Sequence, residues 1–387
     1  MTFDYEAIRP YKDDEIHPAL LRIAENPEFY AAINWLFPEL SAADVKKKIT
    51  SIHTTYEFQK QFMHVGIRKI VEKTSDGLTC DGFENIEPKG AYLYVSNHRD
   101  IFLDSGLLQI LLFEKKIDTT QISMGSNLMK GIMVDVGKVN KMFTVFREGS
   151  IRELYNNSLR LSSYLRYALT EMKNSAWIAQ REGRTKNGCD ATQSSVLKMF
   201  AMSNTEGFVS SFNDLNLAPV SISYEYEPCD YLKAYELYKL EKDGKYQKAK
   251  DEDLNSIIRG VRDYKGRIHL AVSEPVAEHE LIVIDTSFEN GNDKIRGLAE
   301  LIDKKIFSLF KLWPTNYIAA DILSGNNRYS EKYTTEEKDK FVKIMQEKLN
   351  SLPEKHERIE EIFLNIYANP VSNVIKSANQ LFPEKAS

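Results

Sequence analysis

Short apolar runs alternate with longer amphipathic segments through the middle of the chain. The runs are rich in β-branched and aromatic residues and predict strands, whereas apolar positions three and four residues apart predict helices between them. The predicted strands are 91–96, 121–123, 142–146, 176–179, 217–224 and 267–272. The predicted helices are 101–114, 127–134, 150–172, 191–202 and 230–239. This alternation is typical of an α/β fold with a central, mostly parallel sheet flanked by helices.

Helical patterns flank this region on both sides. Before it, apolar spacing predicts a helix at 18–34 and a longer one at 42–71, followed by a turn-rich connector at 74–90. After it, helices are predicted at 294–311, 335–349 and 355–368. The chain is therefore divided into a helical N-terminal region (1–85), an α/β domain (86–285) and a helical C-terminal region (286–387). The highly charged segment 239–253 is predicted to be an exposed excursion.

Composition and charge narrow the classes of protein that fit. A net charge of −5 over 387 residues gives no general reason to bind nucleic acid. No apolar leader is visible, and no stretch approaches the ~20 apolar residues that cross a bilayer. The scattered cysteines Cys80, Cys189 and Cys229 form no disulfide framework and favour a reducing compartment. Residues 120–210 hold 12 Lys and Arg against 7 Asp and Glu, which indicates either chance segregation or an anion-binding site.

A histidine lies just after the first predicted strand of the α/β region. His98 follows the run 91–96, and two carboxylates, Asp100 and Asp104, follow it at the start of a predicted helix. A histidine with an acid near enough to orient its ring suits general-base catalysis, and the alternative is a structural histidine. Asp100 has the position of a helix N-cap, while the side chain of Asp104 would lean back toward the loop. The pattern leaves open which acid faces His98. The other histidines have no ligand spacing, so no metal site is predicted.

Two further motifs place cations and glycines at strand ends. Arg147 follows the strand 142–146, and an arginine fork there is able to bind a phosphate bidentately. The run Arg181-Glu182-Gly183-Arg184-Thr185-Lys186 follows the strand 176–179, and its glycine lets the backbone approach an anion closely. The alternatives are an ordinary surface ion pair for Arg147 and a solvated charged loop for the second motif.

A fourth motif contains Pro219, near the start of the apolar strand 217–224. In their order along the chain, the four motifs resemble those of the glycerolipid acyltransferase superfamily, which includes the glycerol-3-phosphate and 1-acylglycerol-3-phosphate acyltransferases. The resemblance covers residues 90–275, and the whole chain resembles a bacterial group of members without transmembrane segments. Two spacings depart from the family pattern: one residue is added between His98 and Asp104, and one is missing between Gly183 and Arg184.

The resemblance implies an O-acyltransferase of phospholipid biosynthesis, with 86–285 as its acyltransferase domain. His98 would be the base and Asp104 its orienting acid. The substrate-binding residues would be Arg147, Glu182, Gly183, Arg184, Lys186 and Pro219, with the first five near the acceptor's phosphate and Pro219 on the acyl side. Which of Arg181, Arg184 and Lys186 meets the phosphate stays open.

The partners that the resemblance implies are an acyl donor, an acceptor and a membrane. The donor would be acyl-CoA or acyl carrier protein, used as a co-substrate with no other cofactor, and the foremost acceptor is 1-acylglycerol-3-phosphate. The enzyme would be cytoplasmic and peripherally bound to the inner face of the membrane. The helix 294–311 with Trp313 is a candidate anchor, and an internal packing helix is the alternative.

Two other functions compete with this interpretation. The acceptor could be glycerol-3-phosphate or a lyso-aminolipid, because the same base and thioester would serve. A non-catalytic lipid-binding scaffold with the same fold is the alternative of another class, and the two altered spacings motivate it. A serine hydrolase is disfavoured, since the chain has no GxSxG motif.

Overall fold

The chain is built around a seven-stranded, mostly parallel sheet, which confirms the predicted α/β class. The computed structural model describes residues 3–249 and 251–379. Its strands are β1 Leu78–Asp81, β2 Leu93–Ser96, β3 Gln121–Gly125, β4 Met142–Val145, β5 Ala176–Ala179, β6 Leu217–Tyr224 and β7 Ile268–Val272. Their order across the sheet is β1-β7-β6-β2-β5-β3-β4, and the pair β6–β7 is antiparallel while the other neighbours are parallel.

Helices cover the sheet and extend beyond it at both ends of the chain. They are α1 Asp13–Ala24, α2 Pro27–Leu36, α3 Ala42–Thr50, α4 Thr55–Phe58, α5 His64–Thr74, α6 Leu103–Glu114, α7 Ile132–Val139, α8 Ile151–Thr170, α9 Ser194–Ala201, α10 Phe208–Asn213, α11 Asp230–Asp243, α12 Glu252–Arg262, α13 Glu278–Ser287, α14 Gly291–Leu309, α15 Pro314–Ser324, α16 Thr335–Asn350 and α17 Glu357–Asn379. A π-helical turn, Gln59–Met63, joins α4 to α5. Within the described residues, no helix combines the length and apolar character needed to cross a membrane.

The predicted strands agree with the structure, but one strand was missed. β1 lies inside the segment predicted to be a turn-rich connector, where Asp76-Gly77 and Asp81-Gly82 bracket it. It is a short edge strand with every second residue exposed, so its pattern is too weak to rise above the turn signals beside it. It pairs in parallel with β7 and therefore belongs to the sheet, not to the helical region before it.

The two long N-terminal helices predicted from the pattern are each divided. The side chain of Asn26 caps α2 by accepting a hydrogen bond from the backbone N–H of Glu28, with Pro27 in the first turn. Thr54 starts α4 through a reciprocal pair of hydrogen bonds with Glu57. Caps of this kind restart the helix in a new direction without interrupting the apolar spacing, so the periodicity alone does not reveal them.

Both faces of the sheet are buried, as crossover helices require. Along β2, Tyr94 faces the layer of α5 and α6, whereas Leu93 and Val95 face α8, α9 and α14. Further cores join α11 to α15, α16 and α17, and α1, α3 and α4 to α7.

The candidate membrane anchor at 294–314 is wrong. α14 ends at Leu309, close to the predicted break at Trp313-Pro314, but its apolar side packs against β6 and α17. Phe310 and Trp313 are buried as well. This segment is therefore an internal packing element, which was the alternative prediction.

Candidate functional site

Four parallel strands bring three of the sequence motifs to one edge of the sheet. β2, β5, β3 and β4 are successive parallel neighbours, so their carboxyl ends meet at the same edge. His98 follows β2, the Arg181 to Lys186 loop follows β5, Asn127 follows β3 and Arg147 follows β4. In open α/β sheets the crevice beyond the carboxyl ends of the strands is the usual place for a ligand.

The His98 imidazole is paired with Asp104. Its Nδ1 lies 2.8 Å from Oδ2 of Asp104, which is in the first turn of α6 and fully buried. An ionised carboxylate only accepts hydrogen bonds, so Nδ1 carries the hydrogen and the lone pair of the neutral ring is on Nε2. Nε2 has no hydrogen-bond partner in the described part of the chain. The ring is thus held in the tautomer that a general base needs.

Asp100 has a different role from Asp104. Its Oδ1 accepts hydrogen bonds from the backbone N–H groups of Phe102 (2.9 Å) and Leu103 (2.7 Å), so Asp100 caps the start of α6. Its Oδ2 is buried beside Gly260 of α12, where a Cβ atom would collide with it. Burial, together with the neighbouring charge of Asp104, raises the pKa of Asp100. The structure therefore places Asp104, not Asp100, opposite His98.

The residue added between His98 and Asp104 is accommodated by backbone hydrogen bonds. Oδ2 of Asp104 accepts from the N–H groups of Arg99 (2.6 Å) and Asp100 (2.9 Å) as well as from the imidazole. These bonds close the longer loop around one carboxylate oxygen. The altered spacing is thus compatible with the same pairing of histidine and acid.

Sequence reasoning missed several residues that hold this pair. The Tyr224 hydroxyl donates to Oδ1 of Asp104 (2.8 Å), and burial raises the pKa of that phenol well above its ordinary value. Trp177 contacts His98 edge to face, with ring centroids 5.8 Å apart, and its Nε1 donates to Ser96 Oγ (3.0 Å). The side chain of Asn97 bonds both backbone groups of Ile222, which extends the pairing of β2 with β6 past the last residue of β2. Trp177 and Tyr224 are distant in sequence, and no local pattern indicates them.

Arg147 lies at the same edge as His98 and is exposed. It makes no hydrogen bond or ion pair among the described residues, and Glu153, a nearby acid in the sequence, instead caps α8 through Ser150. A Cβ atom built on Gly125 would lie 3.6 Å from Cζ of Arg147, so the guanidinium is folded over the end of β3. The end of β3 is two strands away from β2, which His98 follows. At the usual spacing between strands, the guanidinium is therefore ~10 Å from His98.

The loop after β5 closes over the backbone of His98. The N–H of Thr185 donates to the carbonyl of His98 (2.7 Å), and Gly183 adopts a left-handed conformation with φ of +70°. Glu182 is exposed, and its N–H donates to Gln193 Oε1 (2.7 Å). Because only glycine takes this conformation at low cost, Gly183 allows the tight turn that brings Thr185 to His98.

The three cations of this loop differ in their partners. Lys186 forms an ion pair with Glu236 of α11. Arg184 has a buried Nη1 without a hydrogen-bond partner, and Arg181 has a buried Nε in the same condition. The charge of Arg184 works to lower the pKa values of Asp100 and Asp253, which places its guanidinium near both carboxylates. Lys186 is thus occupied by an ion pair, whereas Arg181 and Arg184 have none among the described residues, and Arg184 is the cation whose charge reaches Asp100 next to His98.

Pro219 does not face the imidazole. It is buried in β6 in register with Val95 of β2, and its carbonyl accepts a hydrogen bond from the N–H of Ser273 (2.9 Å). Val95 and Trp177 point to opposite faces of the sheet, and the register puts Pro219 on the face of Val95. His98 packs against Trp177, so Pro219 lies on the opposite face of the sheet from the imidazole.

A buried ionic cluster lies directly behind the His98 loop. The guanidinium of Arg99 is fully buried and pairs with Asp190 and with Glu227 (2.6 Å), while Lys233 bonds Glu227 (3.3 Å) and the carbonyl of Arg99 (2.8 Å). Burial works to lower the pKa of Arg99, and the two carboxylates outweigh it, so that pKa is raised. Tyr367 of α17 donates to Asp230 (2.6 Å) and accepts from the N–H of Glu227 (2.9 Å), which ties the C-terminal helices to the cluster.

Asp303 of α14 holds the segment after β5 that contains Asp190, and the pKa of Asp303 is shifted. It accepts hydrogen bonds at Oδ1 from the N–H (2.8 Å) and the hydroxyl (2.5 Å) of Thr192, two residues after Asp190. Burial raises the pKa of Asp303 to about 7 although these bonds oppose the shift. The folded chain therefore keeps a proton on this carboxyl up to near-neutral pH, where an unfolded chain has already released it.

The Asp303→Asn variant is expected to be more stable than the natural chain at pH 8 and little changed at pH 5. Between the ordinary pKa of an aspartate and about 7 the folded state binds the extra proton, so the free energy of unfolding falls as pH rises through this window. Asparagine has no charge to bury, and the gain at pH 8 should be on the order of 1 kcal/mol. Urea unfolding of both chains at pH 5 and pH 8 measures it. An equal difference at the two pH values would contradict the assignment.

A narrow apolar slot runs beside α6 on the Trp177 side of the sheet. It lies between the π-helical turn, α5 and α6, and Phe102, two residues before Asp104, is part of its lining. Its volume of ≈ 20 Å³ is about the space that one water molecule needs. Its apolar lining includes Met63, Ile67, Phe102, Gly106, Ile110 and Phe113. π-helical turns are rare and occur frequently at functional sites. The described residues contain no cluster of His, Cys, Asp and Glu side chains that could hold a metal ion.

Comparison with known proteins gives little beyond this geometry. No protein-family model matches the chain, and no curated protein matches it. Among solved structures, the chain is similar to the crystal structure of the 1-acyl-sn-glycerophosphate (LPA) acyltransferase, PlsC, from Thermotoga maritima, with a TM-score of 0.37 and 16% identity. The match covers 75% of this chain and 95% of that one. At that level of likeness, nothing about the chemistry of this chain follows from it.

Proposed function

We propose that the chain is an O-acyltransferase that moves a fatty acyl group from a thioester to a hydroxyl of a glycerol-phosphate acceptor, with 1-acylglycerol-3-phosphate as the preferred acceptor. The observation that carries the proposal is the His98–Asp104 pair, which leaves Nε2 free at a sheet edge that also holds Arg147 and Arg184. A base and two cations at one edge suit a substrate with a hydroxyl close to a phosphate. The four sequence motifs support the same reaction.

In the proposed reaction, His98 moves a single proton. Nε2 takes the proton of the acceptor hydroxyl while the hydroxyl oxygen attacks the thioester carbonyl carbon. The carbon–sulfur bond then breaks, an ester is formed, and the thiolate leaves with the proton that His98 carried. Asp104 stays ionised throughout and stabilises the imidazolium. Acyl-CoA and acyl carrier protein both supply such a thioester.

The spacing of the strands fits a glycerol phosphate between the base and the cations. Arg147 is folded over Gly125, ~10 Å from His98 along the edge. A hydrogen bond of ~3 Å at each end leaves ~4 Å for the acceptor between its hydroxyl and its phosphate oxygens, about the reach of a glycerol unit. Arg184 lies in the loop after β5, which is next to β2, and would contact the phosphate from the side. Such a clamp contributes by holding the hydroxyl in position for attack.

The proposal is tested by acyl transfer in vitro. Radiolabelled palmitoyl-CoA and palmitoyl-carrier protein are each offered with 1-acylglycerol-3-phosphate, glycerol-3-phosphate and a lyso-aminolipid. Ester formation on 1-acylglycerol-3-phosphate supports the proposal, and preference for another acceptor would correct the substrate. No transfer with any pair, from a chain shown to be folded, would overturn the enzymatic function and favour the lipid-binding scaffold.

A carboxylate already occupies the neighbourhood of the cations. Oδ2 of Asp253, at the start of α12, accepts a hydrogen bond from Asn127 (3.0 Å) in the loop after β3, and Oδ1 pairs with Lys248 (2.6 Å). Burial raises its pKa, but Lys248, Asn127 and Arg184 together hold the pKa of Asp253 below its ordinary value. Asp253 is thus ionised at neutral pH and lies where an incoming phosphate would meet its charge.

The Asp253→Asn variant is expected to lower the KM for a phosphate acceptor about two- to fivefold with little change in kcat. Asparagine keeps an oxygen for Asn127 and removes the negative charge. Asp243→Asn, which neutralises an exposed acid of α11 paired with Lys239, is the matched control and should leave KM unchanged. Equal KM values for the natural chain and Asp253→Asn would show that this carboxylate does not face the acceptor.

A further inference from the structure

Large apolar side chains are exposed beside the cation Arg147. Phe146 precedes it, and Ile151 and Tyr155 follow on the first two turns of α8, with 89% and 59% of their surface exposed. Residues four apart lie on one face of a helix, so Ile151 and Tyr155 are neighbours. α8 starts directly after the β4 end of the sheet edge that holds His98. These side chains therefore stand at one side of the candidate site.

A second set of exposed apolar side chains stands across the same opening. Leu254 and Ile258 lie on one face of α12 and are 51% and 40% exposed. The bond between Asp253 and Asn127 fixes the start of α12 against the loop after β3, and Gly260 contacts Asp100. α12 thus crosses the sheet edge with Leu254 and Ile258 turned outward, while Val261 of the same helix packs against the core. Together the two sets form an apolar rim, which consists of Phe146, Ile151, Tyr155, Leu254 and Ile258.

Positive charge accompanies the rim. Lys130, Arg147 and Arg152 are exposed and have no ion-pair partner in the described residues. Glu148 is the exposed acid in the same loop, while the carboxylate of Glu153 is used by Ser150 at the start of α8. On the α12 side, Asp251 is a second exposed acid without an ion pair among the described residues, so three such cations accompany two such acids at the rim. Apolar side chains flanked by cations fit a surface of acyl chains covered by anionic headgroups.

We propose that the apolar rim docks on an anionic phospholipid bilayer, with Ile151, Tyr155, Leu254 and Ile258 entering the headgroup layer and Lys130 and Arg152 on lipid phosphates. The purpose of this docking rests on the proposed function, since a lipid acceptor would pass from the bilayer into the opening that the rim surrounds. The docking itself is independent of acyl transfer. It replaces the anchor at 294–314, which is buried.

The test is cosedimentation with vesicles in the absence of any acyl donor. Vesicles of phosphatidylglycerol and phosphatidylcholine mixed equally are compared with vesicles of phosphatidylcholine alone. The natural chain should bind the anionic vesicles and lose binding as salt is raised. The double variant Ile151→Ser with Tyr155→Ser should bind at least ~10-fold more weakly, because two large apolar side chains no longer enter the bilayer. Leu21→Ser with Ile282→Ser removes exposed apolar side chains elsewhere and should bind as the natural chain does.

The outcomes separate docking from catalysis. His98→Ala should bind vesicles normally, and the Ile151–Tyr155 double variant should keep its activity toward glycerol-3-phosphate, which needs no bilayer. Binding that is absent, or equal in the double variant and the natural chain, would overturn the proposal. A natural chain that forms dimers in solution, with the double variant monomeric and neither binding vesicles, would overturn it in favour of a contact between copies.

Discussion

Replacing His98 with alanine is expected to lower acyl transfer by about 10²–10⁴-fold, the range that a positioned general base contributes. The effect should be on kcat, because Arg147 and Arg184, the cations proposed to bind the acceptor, are untouched. Initial rates with palmitoyl-CoA and 1-acylglycerol-3-phosphate measure it. A variant with more than a tenth of the natural activity would show that His98 is not the base.

The same variant should fold normally, which makes the test clear. Asp104 loses the imidazole but keeps three donors, the N–H groups of Arg99 and Asp100 and the hydroxyl of Tyr224. No buried acceptor is left without a partner, so the loss of stability should stay near ~1 kcal/mol. His279→Ala, which removes an exposed histidine of α13, is the matched control and should keep full activity. Urea unfolding of all three chains gives the comparison of stability.

The parts of the site that could be predicted are those set by local sequence. A strand ending at His98 with an acid in the first turn of the next helix is a pattern within seven residues. The direction in which helical side chains lean then brings Asp104 back to the loop. The same kind of pattern predicted that Arg147 and the Arg181 loop each follow a strand. Parallel pairing of the strands then put them on one edge of the sheet. The fold class came from the alternation of apolar runs with helices.

The parts that could not be predicted depend on contacts distant in sequence. Tyr224 and Trp177 orient the His98–Asp104 pair from other strands, and Arg99 finds Asp190 and Glu227 about a hundred residues away. The choice between Asp100 and Asp104 needed the hydrogen bonds of the loop. Among the cations, Lys186 is taken by Glu236, a partner from a helix that pattern analysis places without its orientation.

The excursion at 239–253 shows a limit of a different kind. Its described residues are largely exposed, as their charge indicates. The chain then returns as α12, in which Val261 packs against the core while Leu254 and Ile258 are exposed. An amphipathic helix normally turns its apolar residues to the core, so two exposed ones on one face are a departure from the usual pattern. This departure is one reason for assigning the apolar rim to a bilayer.

Arg99→Met is expected to destabilise the protein by about 3–5 kcal/mol at pH 8, the cost of leaving buried charges without their partner. Asp190 would lose its ion pair altogether, and Glu227 would keep only Lys233 at 3.3 Å. Burial already raises the pKa of Glu227, and the charge of Arg99 opposes that shift. Without Arg99 the pKa of Glu227 in the folded state would rise further, so the variant should lose stability as pH rises. Its deficit should accordingly be smaller at pH 5 than at pH 8.

The control for this prediction is Arg358, which, like Arg99, pairs with two carboxylates but is in contact with solvent. Arg358 bonds Glu241 with two nitrogens (2.9 and 3.0 Å) and pairs with Glu361 (2.7 Å), yet 40% of its side chain is open to solvent. Arg358→Met should cost less than ~1 kcal/mol, because water solvates the acids that remain. Urea unfolding of both variants at pH 5 and pH 8 provides the four comparisons. If Arg99→Met cost no more than Arg358→Met, the buried ionic cluster would not be what holds the His98 loop to the C-terminal helices.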